Sequence, residues 1–374
     1  MNRCFSLAMR GRPSPNPFVG AILVHNQRVI GEGFHEAAGR RHAEVEAIRQ
    51  VRRKFGAMAP YFLRASTLYV NLEPCNHYGK QPPCTQAVLR AGIPRVVYAL
   101  KDPNPKAAGG AETLRKTGIR VRLAGPQIQS KALALNAPFL HHIRTGRAYV
   151  TLKMAISKDK QIRTGSKKSP YLSSPESLRW VHFMRNKCPA IMVGIGTVRA
   201  DNPRLTCRMA GGHDPLRVII DPHLQIDEKA RVLGDKNVLI VCSRKMDRQK
   251  ASRLKKKGIS LFFAPERGGR PNLKPLLTHL ASLGMDHVLL EGGPRLAAGL
   301  LRMGRVDETV IFRSPKKAGR KIGEENEEMT RAANTVLSRS RPGHSVRCGP
   351  DRVEFSRIRK GKKECFWPGF FEKK

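Results

Sequence analysis

Between residues 21 and 125 the chain alternates β-rich runs with helix-patterned ones, and its chemically active residues fall at the joins. AILVHNQRVIGEGF (21–34) reads as two strands hinged at His25–Asn26–Gln27. RHAEVEAIRQVRRKF, from Arg41, sets Val45, Ile48, Val51 and Phe55 at helical spacing with most basic residues on the other face. STLYVNLEP (66–74), RVVYAL (95–100) and IRVRLAG (119–125) read as further strands, with helices over TQAVLRAG (85–92) and ETLRKTG (112–118) between them. Such alternation implies an α/β layer in which the loops at the sheet ends carry the chemistry.

Two of those joins are chemically loaded. His42-Ala43-Glu44 opens a helix, Pro74-Cys75 leaves a strand directly, and Cys84 opens the next helix. One imidazole and two thiolates make a three-ligand zinc set with a fourth position left for water, which is the pattern of a catalytic rather than a structural site. Glu44, two residues beyond the histidine, is placed to move the water's proton without binding metal, as in zinc deaminases. H-x-E alone is weak, and a cysteine pair alone is usually two buried thiols. Their conjunction at strand and helix ends is much rarer.

A boundary is expected near LHHIRTGRAYV (140–150), dividing the chain into residues 1–145 and 146–374. Beyond it, AYVTLKMAIS (148–157), AIMVGIGTV (190–198), PLRVIID (215–221), NVLIVCS (237–243) and ISLFFAP (259–265) are short apolar runs that read as strands of an open, mostly parallel sheet. HVLLEGGPRLAAGLL (287–301) reads as strand, Gly-Gly turn and helix, and the start of such a helix favours an anion. Gly194 and Gly196 mark a second place where backbone can approach a ligand closely. Towards the end a helix is expected over 324–338 and a closing strand over 352–358. The aromatic tail CFWPGFFEKK would then either dock on the core or contact a second copy in a homo-oligomer.

With 70 Lys+Arg against 29 Asp+Glu the net charge is +41, a balance that raises nucleic acid as a partner. The charge is spread through both halves rather than gathered into a basic arm, so a phosphorylated small molecule is the expected partner and dedicated nucleic-acid binding is not. Eight scattered cysteines argue against a disulfide framework. The polar N-terminus is no secretory signal, and no apolar run reaches the length of a membrane helix, so a cytoplasmic location is expected.

HAEVEAI together with NLEPCNHYGKQPPC resembles the bifunctional deaminase–reductase family of riboflavin biosynthesis. SPNPFVGAILV (14–24) and KDPNPKAAGG (101–110) match that family's other deaminase signatures. VTLKMAIS, VGIGTVRADNPRLTCR, PLRVIID and LLEGGPRLAAGLL follow its reductase half in order. The resemblance implies a cytidine-deaminase-like three-layer domain followed by a dihydrofolate-reductase-like α/β domain, with Zn2+ and NADPH as cofactors. It also implies that Asn16, His77, Lys80, Asp102 and Asn104 line the pyrimidine and ribose-phosphate pocket. In the second domain it implies that Ala155, Tyr171, Thr197, Asp201 and the turn Gly293, Pro294, Arg295, Leu296, Ala297, Ala298, Gly299 contact NADPH. Ser169, Arg185, Leu205, Arg208 and Glu291 would contact substrate, the arginines suiting phosphate by bidentate hydrogen bonding.

The reductase half departs from the family pattern at several points. Lys160 stands where the family has glycine, Tyr171 where it has tryptophan and Pro222 where serine is common, and SPKKAGRKIG (314–323) replaces an apolar, glycine-rich segment. Two rivals follow: a nucleic-acid-editing deaminase with a basic binding domain, favoured by the charge alone, and a homologue whose degenerate reductase half is kept for binding.

Overall fold

The computed structural model describes residues 1–159, 161–162, 172–267, 270–317, 331, 334–340, 343–358 and 365–371. It divides into two compact units, Met1–Thr145 and Gly146–Lys374.

The first unit is built on a five-stranded sheet in the order β2-β1-β3-β4-β5. β1 (Gly20–His25) and β2 (Arg28–Phe34) are antiparallel and joined through Asn26 and Gln27, whose φ of 45° and 60° suit a tight hairpin turn. β3 (Thr67–Val70) pairs antiparallel with β1, and β4 (Arg95–Tyr98) and β5 (Arg120–Leu123) continue in parallel. The strand expected over 66–74 is shorter because Asn71 leaves the ladder. Its side chain accepts from the Gly20 amide at 2.7 Å and donates to the Phe18 carbonyl at 2.8 Å. α1 (Asn2–Ala8), α2 (Ala43–Phe55), α3 (Ala59–Arg64), α4 (Cys84–Arg90) and α5 (Gly110–Lys116) flank the sheet in sequence. α2 buries Ala43, Glu44, Ala47, Ile48 and Val51, and Ile48 and Val51 join the core around Leu23, Leu68 and Val96. Gly33 lets β2 lie this close: a Cβ there would stand 2.2 Å from the Ala43 carbonyl oxygen. The unit closes with α6 (Pro126–Leu135) and α7 (Ala137–Thr145), the latter running into the 140–150 stretch where the boundary is expected. α7 buries Phe139, Leu140 and His141, so a histidine-bearing sequence that reads as polar is packed.

The second unit holds a nine-stranded sheet in the order β10-β9-β8-β7-β13-β6-β14-β16-β15. β6 (Tyr149–Ile156), β7 (Ala190–Gly194), β8 (Leu216–Ile220), β9 (Val238–Cys242), β10 (Ser260–Phe263), β13 (His287–Leu290) and β14 (Glu308–Arg313) are parallel. β16 (Asp351–Arg357) and the edge strand β15 (His344–Cys348) run antiparallel, and β11 (Glu266–Arg267) with β12 (Arg270–Pro271) forms a small separate hairpin. The connecting helices are α8 (Pro175–Lys187), α9 (Ile195–Asp201), α10 (Arg248–Lys256), α11 (Lys274–Ser282) and α12 (Pro294–Arg302).

One expectation changes here. The strand over 190–198 ends at Gly194, where its partner Ile220 also ends, and Ile195 starts α9. Of the helix over 324–338, residues 331 and 334–338 are described and helical, and the rest lie outside the described residues. The closing strand is present as β16. The tail docks on its own unit, with Trp367 fully buried and its indole N–H donating to Thr151 Oγ1 at 3.2 Å.

Arg147 and Asp307 form a buried bidentate pair at 2.9 and 2.7 Å, and Asp307 also accepts from the Val150 amide. The pair joins the start of β6 to the segment entering β14.

Candidate active sites

His42 sits at the N-cap of α2 in extended conformation, held by the close packing of that helix on β2. Cys75 follows β3 through a short loop, and Cys84 is the first residue of α4. His42 Nδ1 lies 3.2 Å from Cys84 Sγ and 3.5 Å from Cys75 Sγ, and the three donor atoms are all within 4.8 Å of one another. Bond lengths near 2.0 and 2.3 Å from a tetrahedral zinc to nitrogen and sulfur place such donors about 3.5 Å apart, so the triangle fits that ion. The hydrogen bond from the Cys84 thiol draws Cys75 well below the ordinary thiol range, with burial opposing and His42 assisting. The Cys84 amide donates to Cys75 Sγ at 3.3 Å. Glu44 is 3 % exposed, and burial, reinforced by the charge on Cys75, pushes its carboxyl up to about 7.

Of the remaining predicted deaminase residues, Asn16 reaches the triangle through His35. Asn16 Nδ2 meets His35 Nε2 at 3.0 Å, and the His35 ring stands edge-on to His42 with centroids 5.2 Å apart. Asp102 is buried and raised to about 6, chiefly by desolvation, with Glu73 and Cys75 adding to it and His77 pulling the other way. Its Oδ1 accepts from the Asn104 amide at 2.9 Å, and Asn104 Oδ1 accepts from the Lys106 amide at 3.2 Å, so both shape the loop they sit on. His77 Nδ1 is buried without a hydrogen-bond partner. Lys80 is exposed, with its stem passing Gly39 in the loop that leads to His42.

Two residues of this site escaped the sequence reading. His35 is 3 % exposed and bonds the Arg41 carbonyl at 3.0 Å through Nδ1, fixing the ring between Asn16 and His42. Its only sequence signal is a histidine ending a strand seven residues before the ligand. Glu73 accepts from the Asp102 amide at 3.0 Å and the Ala111 amide at 2.9 Å, binding two loops to the segment that carries Cys75. A carboxylate just before Pro74-Cys75 was visible, but its amide partners are set by the fold.

In the second unit a cleft of about 2270 Å³ opens at the carboxyl ends of β6, β7 and β13. The N-termini of α9 and α12 open on it, and a Cβ at Gly293 would stand 3.5 Å from Thr197 Oγ1. Ala155, Thr197, Asp201, Gly293, Pro294, Arg295, Leu296, Ala298 and Gly299 all line this cleft. Ala297 is fully buried in the core with Leu300 and Leu301 and is not among the residues lining the cleft. Tyr171 and Ser169, like Lys160, lie outside the described residues.

Arg185, Leu205, Arg208 and Glu291 line the same cleft. Arg185 donates to both Glu291 carboxylate oxygens, at 2.9 and 2.8 Å, and to the Thr206 carbonyl at 3.2 Å. Burial would raise Glu291, but the guanidinium outweighs it and holds the carboxylate below its ordinary range. Arg208 Nε reaches His182 Nε2 at 3.2 Å, and Leu205 is buried with φ of 58°. Lys153, on the cleft wall, is depressed by desolvation while Glu291 pulls it up. Its interior position in a β-patterned run was its sequence signal. Ser157 donates a hydrogen bond to Asp159, and of the departures Pro222 lines the cleft. Ser314 and Lys316 run beside the end of β6, bonding Ile156 and Lys158.

Residues 1–100 match the family model for the cytidine and deoxycytidylate deaminase zinc-binding region, and residues 148–350 match that for the RibD C-terminal domain. The riboflavin biosynthesis protein RibD of Aquifex aeolicus is 39% identical over 323 residues, covering 85% of this chain and 87% of that one. The chain belongs to the RibD family. The Escherichia coli RibD is 34% identical over 335 residues, 85% and 88% of the two chains. Among solved structures, the Thermotoga maritima diaminohydroxyphosphoribosylaminopyrimidine deaminase/5-amino-6-(5-phosphoribosylamino)uracil reductase superposes with a TM-score of 0.80 at 31% identity, covering 96% and 97%. Acinetobacter baumannii RibD gives 0.77 at 30% identity, covering 95% and 96%. As a RibD, the chain is a bifunctional enzyme of riboflavin biosynthesis with a zinc-binding deaminase domain and a reductase domain that uses NADPH. Among the described residues, no helix is long and apolar enough to cross a membrane.

Proposed function

We propose that residues 1–145 deaminate a diaminohydroxyphosphoribosylaminopyrimidine and that residues 146–374 reduce the resulting 5-amino-6-(5-phosphoribosylamino)uracil, the two activities carried in the Thermotoga relative's name. The observation that carries the first assignment is the triangle of His42, Cys75 and Cys84 with the buried carboxyl of Glu44 beside it. These three residues would hold zinc, which supplies Lewis-acid polarisation of a water. Glu44 takes the water's proton and returns it to the departing amine, a role open to a carboxyl that is not a ligand. His35 fixes the His42 ring. Asn16, His77, Asp102 and Asn104 read the polar ring and ribose, with Lys80 at the rim for the phosphate.

In the second unit Arg185 and Arg208 take the phosphoribosyl substrate, with Leu205 and Glu291 shaping its pocket. Thr197, Asp201, Ala155 and the 293–299 turn would hold NADPH, which supplies the hydride that opens the ribosyl ring to ribityl. Lys153 places positive charge beside the Arg185–Glu291 pair. We read the basic surface as attracting phosphorylated substrate, and a reducing cytoplasm as the setting that keeps the ligand thiols free.

The test is Glu44→Gln, which keeps the shape of the side chain and removes its basicity. The variant should retain zinc and lose deamination by about 10² to 10⁴, with reduction of the deaminated substrate unchanged. Near-normal ammonia release would remove Glu44 from the mechanism.

A further inference from the structure

α8 carries the reductase pocket on one face and meets the end of the chain with the other. Leu178, Val181, His182 and Arg185 recur at helical spacing and line the cleft. Trp180 and Phe183 point away from that set. Trp180 stacks on Phe371 with centroids 3.9 Å apart and planes 14° from parallel, and Phe183 meets Phe370 at 5.6 Å.

The tail is itself fixed from beneath. Trp367 donates through its indole to Thr151 on β6 at 3.2 Å and through its amide to Glu308 on β14 at 3.4 Å. Phe371 also packs on Phe355 of β16, centroids 5.1 Å apart. Cys365, Phe366, Trp367, Phe370 and Phe371 are all buried.

The first turn of the helix is tied to the same region of the chain. Asp351 Oδ2 accepts from the Ser174 amide at 2.8 Å and from Ser177 Oγ at 2.6 Å. Asp351 and the 365–371 tail fall just beyond the 148–350 stretch that the RibD C-terminal domain model matches.

We propose that the C-terminal segment is a positioning element of the reductase: the Phe371–Trp180 stack holds α8 from behind and so sets where Arg185 and His182 stand in the cleft. This rests on the reading of Arg185 as a substrate contact. α8 contributes nothing to the helix N-termini assigned to NADPH, which belong to α9 and α12. The effect should therefore fall on substrate and spare the cofactor. Misplacement of a positioning group by about an ångström costs up to about a hundredfold.

Steady-state reduction kinetics of the full-length protein, with the deaminated pyrimidine and NADPH varied in turn, test this. Phe371→Ala should raise substrate KM by about tenfold or more, leaving NADPH KM and ammonia release from the diamino substrate unchanged. Phe371→Tyr, which keeps the ring, should restore the wild-type value. Trp180→Ala should reproduce the effect, and the double variant should be no worse than either single one, since both remove the same contact. Arg185→Ala serves as the reference. If it raises substrate KM while Phe371→Ala does not, the positioning role is wrong and the site reading stands. If Arg185→Ala itself leaves substrate KM unchanged, the site reading falls and this proposal with it. Equal losses for substrate and NADPH, or additive losses in the double variant, would show general destabilisation and overturn the proposal.

Discussion

Replacing Gly110 by alanine should empty the zinc site without unfolding the protein. Gly110 opens α5, and a Cβ there would lie 1.8 Å from the Pro74 carbonyl oxygen and 3.2 Å from Thr85 Cγ2. Comfortable non-bonded contacts with carbon lie near about 3.5 Å, so the backbone must separate by more than about 1 Å. Pro74 directly precedes Cys75, and the next residue of the helix, Ala111, is tied by its amide to Glu73 at 2.9 Å. The displacement therefore passes into the loop that carries a metal ligand, whereas metal–ligand distances tolerate only about 0.2 Å. Overpacking of this kind costs about 1–3 kcal/mol, which a domain of this size survives. Zinc affinity should fall by at least the 10- to 100-fold seen when supporting groups around a metal are lost. Metal content after dialysis at fixed free zinc, together with ammonia release, reads this out. Reduction of the deaminated substrate is the internal control. A Gly110→Ala protein with full zinc and normal deamination would refute the claim that this close approach positions Cys75.

Two further outcomes follow from charge. Glu308 is buried with its carboxyl raised to about 7 by desolvation, despite hydrogen bonds from Trp367 and Tyr149. The folded state holds this proton more tightly than the unfolded chain, whose value is 4.5. Its contribution is thus full below pH 4.5 and is lost as pH rises to about 7, amounting to roughly 3 kcal/mol at most. Glu308→Gln should flatten that slope in denaturant titrations between pH 5 and 8, and an unchanged slope would contradict it. If the +41 charge serves general phosphate attraction, single-stranded RNA should bind weakly and lose affinity steeply with salt. Sequence-selective binding that persists at physiological salt would contradict this.

The metal triangle was legible in the sequence because its residues stand at the ends of elements that the alternating pattern marks out. His42 precedes a strongly periodic helix, and Cys75 and Cys84 bracket a loop between a strand and a helix. The β1–β2 hairpin was legible for a similar reason, with Asn-Gln between two β-rich runs. What stayed hidden depends on tertiary packing. α1 is seven residues long and buries Cys4, Phe5, Leu7 and Ala8, too short a helix to show its period before its partners are known. In α7 a buried histidine masks the apolar face. In the run AIMVGIGTV apolar residues continue on both sides of Gly194, so hydrophobicity alone does not mark the change from strand to helix there. Which side chains of the 293–299 turn face the cleft was likewise hidden, since only the helix's orientation on the sheet decides it. The tail was ambiguous because a run of aromatics suits a neighbouring subunit as well as a core. The Trp367–Thr151 bond and the Trp180–Phe371 stack show it docked on its own unit.

If one chain performs both steps in order, a single incubation reads both out. Purified zinc-loaded protein is mixed with the diaminohydroxyphosphoribosylaminopyrimidine, with and without NADPH, and ammonia and NADPH oxidation are followed together. Ammonia should appear whether or not NADPH is present. NADPH oxidation should begin only after ammonia release, approach one equivalent per ammonia, and vanish in Glu44→Gln until deaminated substrate is supplied. Oxidation of NADPH on the undeaminated substrate, or ammonia release with no oxidation following, would contradict deamination followed by reduction on this chain.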